Sequence, residues 1–270
     1  MSTLSLPWGD LHYAQSGDDR APPLLLISGL NGLARPWQAV VPTLAAHYRV
    51  ITHDHRGLGN SARWQGAYSV EQIASDIIAL MDGLGIARAH IVGHSLGGAV
   101  AQTLAIDHPQ RVDHLLIYAS WAGPEPYFTR VMQMRREMLL GLGVEAFLRT
   151  GVIGIYPPDW IAAHHRELDA NLPAMVQAFV GVPTMLSRMD ACLAHDRRSH
   201  LTQIKAPTLV LGLEDDMSTP AYCSAALAND IPGAQLRLLP YGGHNAHLVV
   251  PDQVSAVILG FLPQKTTTSL

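Results

Sequence analysis

Short apolar runs alternate with amphipathic segments along most of the chain. Nearly uninterrupted apolar runs are typical of strands in a parallel sheet whose two faces are covered by helices. The segments between them carry apolar residues at helical spacing, most clearly after Ser69, where SVEQ has the form of a capping box. The pattern predicts a closing helix from Pro251 and strands at residues 23–28, 49–54, 89–94, 114–120, 207–213 and 235–240.

Residues 123–200 interrupt this alternation. The segment has no strand pattern, is rich in Met and Arg, and contains Pro173 and Pro183. An insertion of this kind after a strand predicts a helical cap over the strand ends. We therefore expect a core formed by residues 1–122 and 201–270, with the cap as part of the same folding unit.

The overall composition narrows the class of partner. The chain has 270 residues, of which 48% are hydrophobic, so it can bury a sizeable core. A net charge of −4 without a dense basic run provides no electrostatic attraction to nucleic acid or to an anionic membrane. We expect a small-molecule substrate, no nucleic-acid or membrane partner, and a monomer or homodimer.

The two cysteines, Cys192 and Cys223, do not have a CxxC spacing, which predicts neither a disulfide framework nor a zinc site. The segment MSTLSLPWGD lacks the features of a secretion signal, and no run reaches 18 apolar residues. These observations favour a cytoplasmic protein. The fourteen histidines show no cluster at metal-ligand spacing, so no metal and no cofactor are expected.

The stretch IVGHSLGGAV carries the strongest chemical signal. Ser95 lies between Gly93 and Gly97 in a GxSxG pattern, after a predicted strand and before a predicted helix. A sharp strand-to-helix turn strains the backbone of its central residue and needs small neighbours. It also lifts that side chain beside a helix N-terminus, where negative charge is favoured. Ser95 is therefore a candidate nucleophile.

A serine nucleophile needs a base and an acid that orients the base. His244 follows two glycines after the strand at 235–240 and is the candidate base. His247, three residues further on, is the rival and is expected to face elsewhere. The strand at 207–213 runs into EDDMSTP, which offers the adjacent carboxylates Glu214, Asp215 and Asp216.

These motifs resemble those of the α/β-hydrolase superfamily over almost the whole chain. SGLNGLARPW, DHRGLGNS, GHSLGG, EDDMSTP and GGH occur in the family's order. ISGLNG, YPPDW, TPAYCSAAL and PYGGH are further similar to the aminoacrylate hydrolases of bacterial pyrimidine degradation. Enol-lactonases and meta-cleavage carbon–carbon hydrolases are similar in a broader sense.

The resemblance implies a fold and a set of roles. It implies a mostly parallel sheet flanked by helices, with the cap inserted after the sixth strand, and the chain order serine, acid, histidine. Asp216 is favoured as the acid because it lies four residues before Pro220 and 28 before His244, while Asp215 fits a GxxD pattern and stays an alternative.

An oxyanion hole is also implied by the resemblance. The backbone N–H groups of Leu96 and Leu30 are its expected donors. Ser28 stands where the family usually has histidine, but a backbone donor does not depend on that side chain.

Several residues are candidates for contact with substrate. Trp121 and Trp37 are possible walls of the site, and Arg130 or Arg135 of the cap could hold a substrate carboxylate. Asp54 and Arg56 are expected to pin a nearby loop through an internal ion pair.

The predicted function is cofactor-free hydrolysis of a small, carboxylated metabolite at a C–N, ester or lactone bond. Carbon–carbon bond hydrolysis or lyase chemistry on the same site is an alternative. A ligand receptor that uses the fold only for binding is another.

Overall fold

The computed structural model describes residues 2–263, which form one eight-stranded sheet and nine α-helices within that range. The strands are β1 Ser2–Leu6, β2 Gly9–Ser16, β3 Pro23–Ile27, β4 Arg49–His53, β5 Ala89–His94, β6 Val112–Tyr118, β7 Thr208–Leu213 and β8 Gln235–Leu239. The helices are α1 Val41–Ala45, α2 Val70–Gly83, α3 Leu96–Asp107, α4 Pro126–Gly151, α5 Pro158–Gln177, α6 Val182–Ala194, α7 Ala221–Asp230, α8 Ala246–Val249 and α9 Pro251–Phe261.

The strand order in the sheet is β1-β2-β4-β3-β5-β6-β7-β8. The strands from β4 to β8 along this order are parallel, whereas β1 pairs with β2 and β2 with β4 in the antiparallel sense. Parallel strands all end at the same edge, so the loops that follow β3, β5, β7 and β8 meet there.

The core lies on both faces of the sheet. All residues of β5 and β7 are buried, as expected for strands covered by helices on both sides. Helix α3 is buried along nearly its whole length and packs between the sheet and α2. The predicted α/β-hydrolase fold, a mostly parallel sheet flanked by helices, is confirmed.

The hairpin formed by β1 and β2 is missing from the sequence prediction. Its strands lie at the edge of the sheet and are only partly buried, with Thr3, Ser5 and Asp10 exposed. An edge strand does not need the continuous apolar run that marked the central strands.

Helices α4, α5 and α6 lie between β6 and β7 and occupy the segment expected to form the cap. Helix α4 is kinked at Gly143, whose φ of 84° falls in the region that favours glycine. Two hydrogen bonds tie these helices to the loop after β7: the Ser218 hydroxyl donates to the Gly154 carbonyl over 2.6 Å, and the Tyr127 hydroxyl donates to the Met217 carbonyl over 2.7 Å.

No helix within residues 2–263 has both the length and the apolar character needed to cross a bilayer.

The junction between β5 and α3 is packed too tightly for side chains on its glycines. A Cβ added to Gly93 would overlap the Gly97 carbonyl, and one added to Gly97 would overlap the Ile27 carbonyl of β3. Backbone atoms of three elements therefore meet at this point, and the close contact of β3 with α3 depends on Gly97.

We predict that Gly97→Ala lowers the free energy of unfolding by about 3 kcal/mol or more, because backbone atoms must move to accept the methyl group. Gly141→Ala is the matched control. A Cβ at Gly141 meets nothing within 4 Å, so alanine should raise stability by up to about 1 kcal/mol in the exposed helix. Urea denaturation checks both, and equal stability of the two variants would contradict the prediction.

Candidate active site

Ser95 occupies the turn between β5 and α3 in a strained conformation. Its φ of 55° and ψ of −118° lie in a region that non-glycine residues rarely adopt. The Ser95 N–H donates to the Tyr118 carbonyl over 2.9 Å, and the Ser120 hydroxyl donates to the Ser95 carbonyl over 2.9 Å. The neighbouring strand β6 and the residues after it thus hold the serine backbone from both sides.

Ser95, His244 and Asp216 form a continuous chain of hydrogen-bond contacts. The Ser95 Oγ lies 2.9 Å from His244 Nε2, and His244 Nδ1 lies 2.8 Å from Asp216 Oδ2. All three residues are buried. The structure therefore brings together the three side chains that the sequence analysis selected, in the geometry of a nucleophile, a base and an orienting acid.

The two adjacent aspartates after β7 have different partners. Asp216 Oδ1 accepts from the N–H groups of Ser218 and Thr219, and its Oδ2 accepts from the Thr219 hydroxyl as well as facing His244. Asp215 instead accepts from the N–H groups of Gly242 and Gly243, at 3.0 and 2.9 Å. Asp216 contacts the imidazole, while Asp215 holds the backbone that precedes it.

His94 and Tyr118 contact the backbone of His244. His94 Nε2 lies 2.9 Å from the His244 carbonyl, and the Tyr118 hydroxyl donates to the same carbonyl over 3.4 Å. Burial lowers the pKa of His247 to about 3 and also lowers the pKa of His94 well below its ordinary value, with the neighbouring histidines adding to both effects. Both side chains are therefore neutral near pH 7. His247 stacks on Trp37 and does not reach Ser95.

The loop after β3, residues 28–34, lies against Ser95. A Cβ on Gly29 would come within 3.1 Å of Ser95 Cβ. The N–H of Leu30 has no acceptor among residues 2–263, and Leu96 is the first residue of α3, where N–H groups lack a helical partner. Two backbone donors are thus available beside the serine, at the two residues expected to form an oxyanion hole.

The Ser28 side chain stabilises this loop instead of facing a substrate. Its hydroxyl donates to the Leu33 carbonyl over 2.6 Å and accepts from the Trp37 indole over 3.0 Å. Ser28 therefore closes the turn in which the Leu30 N–H is held.

The expected ion pair between Asp54 and Arg56 is absent. Arg56 pairs with Asp76 of α2, with its Nε 2.9 Å from Asp76 Oδ2, and Asp54 accepts from the Ala34 N–H over 2.8 Å. Asp54 still pins the β3 loop, but it does so through a backbone donor. Neighbouring polar residues in a motif often face different elements. Their spacing alone could not show that Asp54 and Arg56 have different partners.

A cleft of about 720 Å³, part of it open to solvent, lies over Ser95. The β3 loop forms one wall, and helix α4 forms another through Phe128, Met132 and Arg135. The polar part of the lining includes His244, Ser218 and Asn245.

Of the three residues expected from the sequence to contact substrate, one lines the cleft and two do not. Arg135 lines it, and its guanidinium lies over the Phe147 ring at 4.8 Å. Arg130 is exposed, because five residues turn a helix by about 140° relative to Arg135. Trp121 and Arg130, the other two residues expected to contact substrate, are not among the residues that line the cleft over Ser95. Trp121 is 1% exposed and stacks behind Phe128, which takes its place in the cleft wall.

Arg188 of α6 is a residue that the sequence analysis missed. It is fully buried, and its Nε donates to the Leu30 carbonyl over 2.7 Å, while its Nη2 donates to the Gly29 carbonyl over 3.5 Å. The Gly29 carbonyl and the Leu30 N–H belong to one trans peptide and point in opposite directions. Arg188 therefore fixes the direction of the Leu30 N–H. No sequence signal distinguished it from the other cap arginines.

Neither Arg188 nor Arg135 has a carboxylate within 4 Å in the part of the chain that the structure describes. Burial lowers the pKa of Arg188 to about 10 and lowers that of Arg135 as well, but both stay protonated near pH 7. The site is thus positively charged on the sides of α4 and α6.

The chain belongs to the α/β-hydrolase family, as the fold and the serine elbow with its histidine and aspartate indicate. The family model described as "alpha/beta hydrolase fold" matches residues 22–148. More particularly, the chain is similar to proteins named putative carbamate hydrolase RutD. The one from Azorhizobium caulinodans is 37% identical over 252 residues, which are 93% of this chain and 94% of that protein. The one from Caulobacter sp. strain K31 is 35% identical over 94% of each chain.

Solved structures agree with this assignment. The enol-lactonase from Burkholderia xenovorans LB400 is 26% identical, with a TM-score of 0.87 over 96% of this chain and 99% of that one. A hydrolase from Pseudomonas aeruginosa PA01 is 29% identical, with a TM-score of 0.86 over 96% and 97%. The protein is a hydrolase.

We predict that Asp216→Asn lowers turnover of an activated ester about 10³- to 10⁴-fold. The N–H groups of Ser218 and Thr219 require an acceptor, so the amide oxygen takes the Oδ1 position and the amide nitrogen faces His244 Nδ1. That donor stabilises the imidazole tautomer with its proton on Nε2, which cannot accept a proton from Ser95.

Asp215→Asn is the matched control, since it loses one backbone acceptor and leaves the imidazole contact in place. Steady-state kinetics of both variants measure the difference. Equal or greater damage from Asp215→Asn would move the role of the acid to Asp215.

Proposed function

We propose that the protein is a serine hydrolase in which Ser95 is the nucleophile, His244 the base and Asp216 the acid that orients it. The observation that carries this proposal is the unbroken contact chain from Ser95 Oγ to His244 Nε2, 2.9 Å, and from His244 Nδ1 to Asp216 Oδ2, 2.8 Å. The strained elbow supports it because it exposes the serine hydroxyl at the foot of the cleft.

The first half of the reaction forms an acyl-enzyme. Ser95 Oγ attacks the carbonyl carbon of the substrate as its proton passes to His244 Nε2. The carbonyl oxygen becomes an oxyanion and accepts hydrogen bonds from the N–H groups of Leu30 and Leu96. His244 then donates the proton to the leaving nitrogen or oxygen, and the bond between that atom and the carbonyl carbon breaks.

The second half repeats these steps with water. His244 takes a proton from water, the hydroxide attacks the acyl carbon, and the bond to Ser95 Oγ breaks as the proton returns to Ser95. Asp216 stabilises the imidazolium that forms in each half and holds His244 in the tautomer that the reaction needs.

The β3 loop would gain its catalytic geometry from Arg188. The guanidinium holds the Gly29 and Leu30 carbonyls, so the Leu30 N–H stays directed while charge develops on the substrate oxygen. A positive charge without a carboxylate partner behind this loop also favours the oxyanion electrostatically.

The substrate class is a small molecule with a carboxylate and a C–N, ester or lactone bond. Arg135 faces the cleft without a carboxylate partner, which favours an anionic substrate. The names of the RutD relatives favour a carbamate-like C–N bond, and the enol-lactonase neighbour favours a lactone. Purified protein assayed against carbamates, enamines, lactones and p-nitrophenyl esters that carry a carboxylate would separate these bonds.

We predict that Ser95→Ala abolishes covalent labelling by a fluorophosphonate probe and lowers turnover about 10³-fold or more, with the fold unchanged by circular dichroism. The unsubstituted enzyme is the positive control. Full activity in the variant would refute the role of Ser95, and a protein that neither labels nor turns over any substrate would favour a receptor on this fold.

We predict that Arg135→Met raises KM for a carboxylated ester about tenfold to a hundredfold, because a charge-assisted hydrogen bond contributes about 1.5–3 kcal/mol. Methionine keeps the packing against Phe147. KM for the matching neutral methyl ester should not change.

Arg130→Met, on the exposed face of the same helix, is the control and should behave as the unsubstituted enzyme with both esters. A similar change in KM for the acid and the neutral ester in Arg135→Met would mean that the residue only shapes an apolar wall.

A further inference from the structure

A second group of chemically active side chains lies at the amino-terminal ends of β5 and β6, whereas the cleft lies at the carboxyl-terminal ends of the strands. His90 is the second residue of β5, and Asp113 and His114 lie near the start of β6. At about 3.3 Å per residue, roughly 13 Å of strand separates His90 from His94 beside the active-site serine. The hydrolysis proposed above uses none of these three side chains.

An irregularity in the pairing of β5 and β6 brings the three residues together. Ala89 lies opposite Val112, but Ile91 lies opposite Leu115, so β6 has one more residue than β5 between these two pairs. Neighbouring residues of a regular strand point to opposite faces of the sheet, and a bulge redirects them. Asp113 and His114 can therefore both approach the single imidazole of His90.

The distances among these groups match those between the ligands of a small metal ion. His90 Nδ1 lies 3.2 Å and His114 Nδ1 lies 3.4 Å from the same oxygen, Asp113 Oδ2. Ligand bonds of about 2.0–2.1 Å in a tetrahedron place neighbouring ligand atoms about 3.3 Å apart. All three ligand atoms lie within 4.8 Å of one another.

Hydrogen bonds within the group do not account for this arrangement. Both Nδ1 atoms are buried, yet neither is in hydrogen-bond geometry with Asp113 or with any other partner in residues 2–263. His90 is 3% exposed, so its ring nitrogen cannot be satisfied by bulk water. Two unpaired imidazole nitrogens that face one carboxylate oxygen are costly unless a further group joins them.

Asp113 supplies the one negative charge among the three side chains. Arg88 Nη2 lies 3.1 Å from Asp113 Oδ1, which orients the carboxylate and leaves Oδ2 free. The side chains of Asp113 and His114 are partly exposed, which allows an ion and water ligands to enter from solvent.

We propose that His90 Nδ1, His114 Nδ1 and Asp113 Oδ2 bind one divalent transition-metal ion of the zinc type, with water completing the coordination. Two imidazoles and a carboxylate are the ligand types that such ions take. The ion would tie β5 to β6 across the bulge. The role of the ion is structural, because roughly 13 Å of strand β5 separates His90 from the active-site end of the strand.

The test uses the full chain, stripped with EDTA and dialysed, and titrated with Co²⁺ as a spectroscopic probe and then with Zn²⁺ as a competitor. We expect ligand-field absorption that saturates at one equivalent of Co²⁺ and disappears on addition of Zn²⁺. The thermal midpoint should rise with Zn²⁺ and return with EDTA. Absence of a saturable equivalent in the unsubstituted protein would overturn the proposal.

Two variants locate the site. His114→Gln alters a partly exposed side chain, and Asp113→Asn keeps its size, so at least one should fold, as circular dichroism will show. Each should lose the Co²⁺ absorption and the metal-dependent rise in the thermal midpoint. Hydrolysis of a p-nitrophenyl ester should be the same with and without Zn²⁺ bound.

The control is the double variant His164→Gln/His165→Gln, which removes two adjacent histidines from α5 and should keep the full signal. Retention of the signal in a folded His114→Gln or Asp113→Asn protein, or its loss in the control, would show that the ion binds elsewhere and would refute the site.

Discussion

The contact of three backbone segments at the start of α3 is the constraint on which the rest of the structure depends. Gly93 and Gly97 let β3, β5 and α3 approach to a distance at which no side chain fits between them. This contact fixes Ser95 at positive φ and presses the β3 loop against it. Serine, loop and helix end are thereby placed relative to one another before any substrate binds.

The other catalytic candidates lie near Ser95 because they follow neighbouring strands of the same sheet. The loop after β7 supplies Asp216 and the loop after β8 supplies His244, and both strands end at the same edge as β5 because the pairing is parallel. The cap is anchored to these loops by Ser218 and Tyr127. The buried Arg188 of α6 contacts the β3 loop directly, so this helix contributes to the architecture of the site.

The sequence predicted those parts of the site whose position follows from the local chain. The glycine pattern located the elbow, and the strand ends located the segments that carry His244 and the aspartates. The two N-terminal strands were missed because an edge hairpin leaves one face in water and lacks a long apolar run. The sequence favoured Asp216 as the partner of His244 but did not exclude Asp215, because the choice depends on the direction of a loop that other backbone groups hold.

The positions of Arg130, Arg135 and Trp121 relative to the cleft could not be predicted, for a common physical reason. Helical spacing shows which residues share a face of a helix. It does not show which face meets the core when, as in α4, the helix is long and kinked and has no distinct apolar face. Arg130 and Arg135 were therefore equivalent in the sequence, and Trp121 could not be ranked against Phe128. The role of Arg188 depends on contacts between segments that are distant in the chain. The group around His90 depends on a bulge that no residue type predicts.

The adjacent carboxylates after β7 also have a consequence for how this segment can evolve. Asp215 holds Gly242 and Gly243, and Asp216 meets His244, so two consecutive residues contact three consecutive residues of another loop in register. A substitution at one of these positions disturbs only the contacts of that one side chain. Insertion or deletion of one residue between Leu213 and Thr219 would displace both carboxylates at once, so the geometry of these contacts constrains the length of the loop.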